Sequence, residues 1–379
     1  GCSARSCECV RIHARNTAFW GILLPTERKG SVCDTMKRIV CIILSGTLAA
    51  ALALTGCRRP DAGSGSSSMG GSTSMSGSSG SQTAAWRTGL GVVTGTAGED
   101  RAGKITAAAA AVLLDENGKL AGVKLDEAEF SVSADGSGEV TLPEDTRTKR
   151  QKGADYPLAA ASGIGKGWAE QADFFGEYLV GRTPEQVEQL AVDENGKPKD
   201  ADLLSGCTIA VERYRDAVVR ACESAAVLGA AKGDAVSLGM ELQGSASGNP
   251  ADDDHDLTAR ADITLAALTL DAGGHITSAI GDMAEPALTV SADGTVSAPD
   301  KAVRTKREQG EDYGMRKASA LDKEWYQHSE GYCSYLKGRT RTEVLAIPTD
   351  GSDADLAALC TISVTDLQKA VLDALNNAG

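Results

Sequence analysis

Residues 105–125 read ITAAAAAVLLDENGKLAGVKL. Two apolar runs flank Asn117-Gly118, a pair suited to the tight turn of an antiparallel hairpin. Residues 261–280 read ADITLAALTLDAGGHITSAI, with Gly273-Gly274 at the corresponding break. The sequence therefore predicts one hairpin, used twice.

The repetition continues past the hairpins. RTKRQKGADY at Arg147–Tyr156 returns as RTKREQGEDY at Arg304–Tyr313, an offset of 157 residues. That period is too long for a solenoid repeat and suits a whole small domain. Ser162, Lys166, Trp168, Tyr178, Gly181 and Thr183 match Ser319, Lys323, Trp325, Tyr335, Gly338 and Thr340 at the same offset. After a four-residue deletion, Cys-Thr-Ile at Cys207 meets Cys-Thr-Ile at Cys360.

Helices are expected after the strands. Ile164, Trp168, Ala172, Phe175 and Leu179 recur by threes and fours, which predicts a helix over 158–180. Leu321, Trp325, Tyr332 and Leu336 repeat the stripe, so both tryptophans read first as core and second as a surface for stacking a ring. Gly181 and Gly338 stand where a helix ends on glycine. Thr183 with Gln186, and Thr340 with Glu343, make capping boxes for a following helix, the first with Pro184 at its start. A last helix is expected in VERYRDAVVRACESA and in VTDLQKAVLDAL. Strands then helices define an α+β domain in two tandem copies, 87–229 and 234–379. About 290 residues suffice for two domains with cores of their own.

The N-terminal part reads differently. Residues 1–35 lack periodicity and read as upstream sequence translated in frame. Met36, Lys37 and Arg38 open an export signal over 36–56 whose apolar run is too short for a good membrane span. It ends in LTGC, Leu54–Cys57, which resembles the lipobox of bacterial lipoproteins. That resemblance implies lipidation at Cys57 and anchoring to the outer face of the bacterial cell membrane. Gly and Ser dominate 57–86, a flexible tether.

The formal charge is −14; residues 1–56, with seven Lys/Arg against three Asp/Glu, are net +4, so the remainder carries −18. A polyanion without a basic stripe is a poor nucleic-acid binder. Four of the ten cysteines fall in the folded part, Cys207, Cys222, Cys333 and Cys360, without the paired spacing of a zinc site. Disulfides among them are permitted outside the cytoplasm but not assignable from spacing. The acidic run Asp252–Asp256 reads as a solvated loop, not a cation site, and His255, His275 and His328 have no histidine counterparts in the first copy. No Ser-His-Asp constellation of a hydrolase is evident. Arg147, Lys149 and Arg150, with Arg304, Lys306 and Arg307, are the candidates for binding an anion; the alternative is a basic segment paired with local carboxylates.

The stretch DADLLSGCTIAVERYRDAVVRA resembles the end of the FMN-binding domain of extracytoplasmic electron-transfer proteins. Asp202, Ser205, Gly206, Cys207 and Thr208 fill that family's flavinylation pattern, with Cys where the family has Ala. The resemblance implies FMN esterified to Thr208, an electron carrier or binding protein rather than an enzyme, and a redox partner in the envelope. In the second copy Ala358 and Leu359 replace Ser and Gly, and Thr361 holds the acceptor position. Position favours a phosphate on Thr208 just ahead of a helix, where N–H groups are free; Ser205 and Thr208 read equally as helix caps. The alternative is a non-catalytic ligand-binding or scaffold lipoprotein without flavin.

Overall fold

The computed structural model describes residues 85–248 and 256–378. The signal segment, Cys57 and nearly all of the tether lie outside the described residues, as do Asp252–His255. Strands β1 (Arg87–Glu99), β2 (Ala102–Leu114), β3 (Leu120–Ala134) and β4 (Val140–Thr141) form one antiparallel sheet in that order. It is followed by helices α1 (Lys149–Lys152), α2 (Trp168–Leu179), α3 (Pro184–Glu188), α4 (Ala201–Leu204) and α5 (Glu212–Glu223). The second sheet holds β5 (Ala235–Ser247), β6 (Leu257–Leu270), β7 (Ile276–Ala284), β8 (Ala287–Val290) and β9 (Val296–Ser297). Helices α6 (Lys306–Gln309), α7 (Trp325–Tyr335), α8 (Arg341–Leu345), α9 (Ala354–Ala357) and α10 (Thr365–Asn376) follow it. The chain is α+β, with two antiparallel sheets.

Both hairpins form where expected. Gly118 and Gly274 each turn at φ +76°, and the Asp115 and Asp271 carboxylates accept the N–H groups of the turn residues. The long β3 is matched in the second half by two strands, β7 and β8, separated by Glu285-Pro286. Proline has no N–H to give a ladder, so it breaks the strand there.

The two sheets face each other. Ala107, Ala109, Ala111 and Leu113 of β2 point into a cluster shared with Ala259, Ile263, Leu265 and Ala267 of β6. The intervening Ala108, Ala110, Val112 and Leu114 point the other way, onto α2 and α5. In the second half Ala266, Leu268 and Leu270 meet α7 and α10. The order of layers is helices, sheet, sheet, helices. A central strand of this arrangement is apolar on both faces, which is why residues 105–114 lack a polar alternation. Each half keeps a helix–sheet cluster, and a third cluster is common to both.

The last helix of each half lies very close to its sheet. Gly91 of β1 faces the backbone of Ala217 and Ala221 on α5, and Gly239 of β5 faces that of Ala370 and Ala374 on α10, with no room for a Cβ. Glycine on the strand and alanine on the helix permit the approach.

One helix is shorter than its stripe suggests. α2 begins at Trp168, and residues 157–167 form turns. Gly165 adopts φ +66°, and Gly167 is the N-cap, its N–H bonded to Glu170 Oε2 at 2.8 Å. Pro157 and three glycines in eleven residues outweigh the apolar spacing. The Thr183 capping box and the left-handed Gly181 and Gly338 (φ +84° and +77°) are present as expected.

Candidate functional site

The repeated basic segment is a clamp. The Thr148 hydroxyl caps α1 by accepting from Gln151 N, and the Gln151 side chain accepts from Thr148 N. The same hydroxyl donates to Asp126 Oδ2 at 2.7 Å. Asp126, on β3 and fully buried, also accepts from Arg150 N and Glu127 N. Thr305, Glu308, Arg307 and Asp282 repeat the arrangement. Burial pushes both aspartates up to about 6, against the hydrogen bonds that they accept.

All six candidate anion-binding cations have carboxylate partners within the chain. Arg147 meets Asp145 and Asp155 at 3.0 Å, Arg150 meets Asp173 at 2.9 Å, and Lys149 meets Glu127 at 2.6 Å. Arg304 meets Asp312, Lys306 meets Glu285, and Arg307 meets Glu330, at 3.1, 3.2 and 2.7 Å. The segment's geometry is that of paired charges.

A cavity of about 330 Å³ opens beside this clamp in the first half. Lys149 Nζ lies 5.1 Å from the Tyr156 ring centre and 6.0 Å from that of Trp168. Trp168 Nε1 donates to the Tyr214 hydroxyl at 3.1 Å, and that hydroxyl donates to Glu127 Oε2. Arg213 Nη1 approaches Glu127 Oε1 at 3.6 Å. Burial, and then Glu127, push the Tyr214 phenol well above its ordinary range. Burial opposes the charge on Lys149, but Glu127 and Glu129 outweigh it and raise its pKa. Tyr214 therefore stays protonated and Lys149 charged. The chain Trp168–Tyr214–Glu127–Lys149 can orient the polar edge of a ligand whose apolar part lies on Leu158 and Ile209. Neither Lys149 nor Tyr214 is a nucleophile activated by a lowered pKa.

A second cavity, about 350 Å³, occupies the same place in the second half. Lys306 Nζ sits 5.1 Å from the Tyr313 ring centre and 5.5 Å from that of Trp325. Its polar groups differ: Met283 stands for Glu127, Leu367 for Tyr214, and the Asp366 carboxylate for the Arg213 guanidinium, with Thr264 and Ser363 beside it. Trp168 and Trp325 thus serve both the core and the cavity wall.

The stretch singled out for flavin forms a packed corner. The Thr208 hydroxyl donates to Gln171 Oε1 at 3.2 Å, and Thr208 N does so at 2.8 Å. The α5 N-cap is Val211, three residues further on, so neither Thr208 nor Ser205 caps that helix. Ser205 ends α4, its hydroxyl donating to Asp202 O. A Cβ on Gly206 would meet the Phe174 ring at 2.6 Å, so the close approach that glycine permits is made by Phe174. Cys207 is fully buried, which pushes its thiol up to about 11. Thr208 and Ile209 are half-buried, and Ser205 and Ala210 are exposed. The four described cysteines are free thiols. Among the described residues no three His, Cys, Asp or Glu side chains are grouped to hold a metal ion, and no helix is long and apolar enough to cross a membrane.

Compared with protein-family models, curated proteins and solved structures, the chain gives no match.

Several working residues escape a reading by sequence. Glu127 and Tyr214 differ between the halves, and Asp126, though matched by Asp282, stands far from Thr148 in sequence, so only folding brings these partners together. Gln171 was detectable: the 157-residue offset sets it opposite His328, and the two side chains do the same job.

Proposed function

We propose that the protein is an exported lipoprotein, anchored through Cys57 to the outer face of the bacterial cell membrane, in which two copies of one duplicated domain present a small-molecule binding cavity. The observation that carries this reading is the pair of matched cavities. Both keep the lysine, tyrosine and tryptophan, and only the first adds the Glu127–Tyr214 polar wall and Arg213. A shared frame with two different sets of polar groups suits a binding module in which the first half takes the ligand on Glu127, Tyr214 and Arg213. The ligand would set a flat apolar part on Leu158 and Ile209 and a polar edge toward Lys149, Arg213 and Asn195.

The second half supplies the test, because its lining is compatible with the same frame. Native mass spectrometry of the protein released from its own membranes reads the occupant. A small molecule carried by the wild type and lost from the Glu127→Met/Tyr214→Leu double variant supports the reading. An empty wild type, or an occupant that survives both substitutions, overturns it. A Cys57→Ser variant moves from the membrane fraction to the soluble fraction if the anchor is lipid.

An electron-transfer flavoprotein with FMN on Thr208 is the second reading, and one observation favours it. Ile209 and Ala210, the next residues after Thr208, form part of the cavity wall. The bonds of Thr208 to Gln171 and the contact of Gly206 with Phe174 weigh against it.

A further inference from the structure

The corner that follows α4 is fastened by Gln171 in the first half, and the corner that follows α9 is fastened by His328 in the second. Gln171 Oε1 accepts from Thr208 N, while its Nε2 donates to Ser162 Oγ at 3.1 Å. His328 Nδ1 accepts from Thr361 N at 3.2 Å, while Nε2 lies 2.8 Å from Ser319 Oγ. A backbone N–H has only a proton to offer, so Nδ1 must be bare and Nε2 must carry the hydrogen. The imidazole copies the amide, one nitrogen accepting and the other donating. Only the imidazole can lose its acceptor by taking up a proton.

We propose that His328 is an acid-released latch: neutral, it pins the corner Cys360–Ser363 that walls the second cavity, and protonated at Nδ1 it lets that corner go, while the first half stays pinned by Gln171. Ile362 and Ser363 form part of that wall. Uptake of one proton from solvent puts N–H against N–H and removes the bond to Thr361.

The surroundings give the cation no compensation. From the segment 315–324, Lys323 adds a positive charge, its ammonium donating to Leu359 O at 2.8 Å, and Arg316 is held by Glu311. At the N-cap of α7 the Glu324 carboxylate accepts from Met315 N and Arg316 N, and on the helix itself Tyr332 is buried. Behind the helix, Asp282 of β7 is taken by Arg307 N and Met283 N. From the corner comes the buried Cys360 thiol, which burial keeps protonated. Among the described residues no carboxylate bonds to the ring. Burial first, and Lys323 second, lower the pKa of His328 below its ordinary 6.5. Protonation therefore favours any state in which the ring reaches water.

Amide exchange resolved by NMR tests the latch on the intact folded chain. Protection of Thr361 N–H, corrected for intrinsic exchange, should fall as pH drops below about 6.5, by up to about tenfold per unit, while Thr208 N–H holds its protection. His328→Gln should keep Thr361 protected at neutral pH and abolish the fall. Gln171→His should confer the same fall on Thr208. Parallel protection of the two amides across that range overturns the latch. So does an unchanged pH response in His328→Gln, or a ¹⁵N spectrum with the neutral-pH proton on Nδ1.

Discussion

The Thr148 hydroxyl spans two structural tasks: it caps α1 and donates at 2.7 Å to the fully buried carboxylate of Asp126 on β3. This bond, repeated by Thr305 and Asp282, gives the recurring RTKR segment its role. Threonine ties the short helix to the sheet, lysine reaches the aromatic shelf beside the cavity, and the arginines pair with carboxylates of their own half.

The clamp has a pH signature. Asp126 has an ordinary value of 3.8 and is pushed up to about 6 by burial. Between about pH 4 and 6 the folded chain holds a proton that the unfolded chain has released, so stability falls as pH rises through that window and this contribution levels off above it. Asp126→Asn cannot release that proton. Relative to wild type it should gain by about 2 kcal/mol from pH 4 to pH 7, read from urea unfolding at a series of pH values. A difference that is flat with pH, or that runs the other way, contradicts the buried carboxylate.

Tyr332 is buried on α7, and its hydroxyl has no hydrogen-bond partner among the described residues. Phe175 occupies the matching place on α2 and is equally buried. Tyr332→Phe should therefore stabilise the chain by about 1 kcal/mol or more, since an unpaired buried hydroxyl costs about that much. A loss on thermal unfolding would mean that the hydroxyl has a partner.

The seating of α5 and α10 on glycines predicts a sharp contrast. Gly91→Ala and Gly239→Ala drive a Cβ into helix backbone and should each cost several kcal/mol, about 3 or more. Gly163→Ala meets nothing within 4 Å and should stay within about 0.5 kcal/mol of wild type. Comparable losses at the three positions would refute the close helix–sheet contact.

The shared cluster makes the halves dependent on one another. Phe130 packs its ring onto Gly244 across the sheets, and Ile105 faces the same cluster, which also holds Met240 and Leu242. Residues 85–229 expressed alone should aggregate, pair through that face, or unfold without cooperativity. A monomer by light scattering with a single cooperative transition would contradict a common core.

Much of this architecture was legible in the sequence, for local reasons. The two hairpins, the threonine caps and the glycine stops depend on nearest neighbours and are found as expected. The start of α2 was not, because the spacing of Ile164 suggested a turn of helix that Pro157 and Gly165 prevent. The face-to-face sheets were also hidden. Residues 107–111 are all alanine, so no alternation tells one face from two. For the site, Lys149 and Trp168 stood out by repetition, whereas Glu127 and Tyr214 vary between the halves and are joined only by folding. Thr208 has the surroundings of a motif in sequence and those of a packed corner in space.

The most direct test is the intact mass and visible absorption of residues 58–379 coexpressed with a flavin transferase. A binding module with its Thr208 corner closed by Gln171 predicts no flavin absorption and no covalent gain in mass. Flavin absorption with a gain of one FMN, lost in Thr208→Ala, would contradict that account and make the protein an electron carrier.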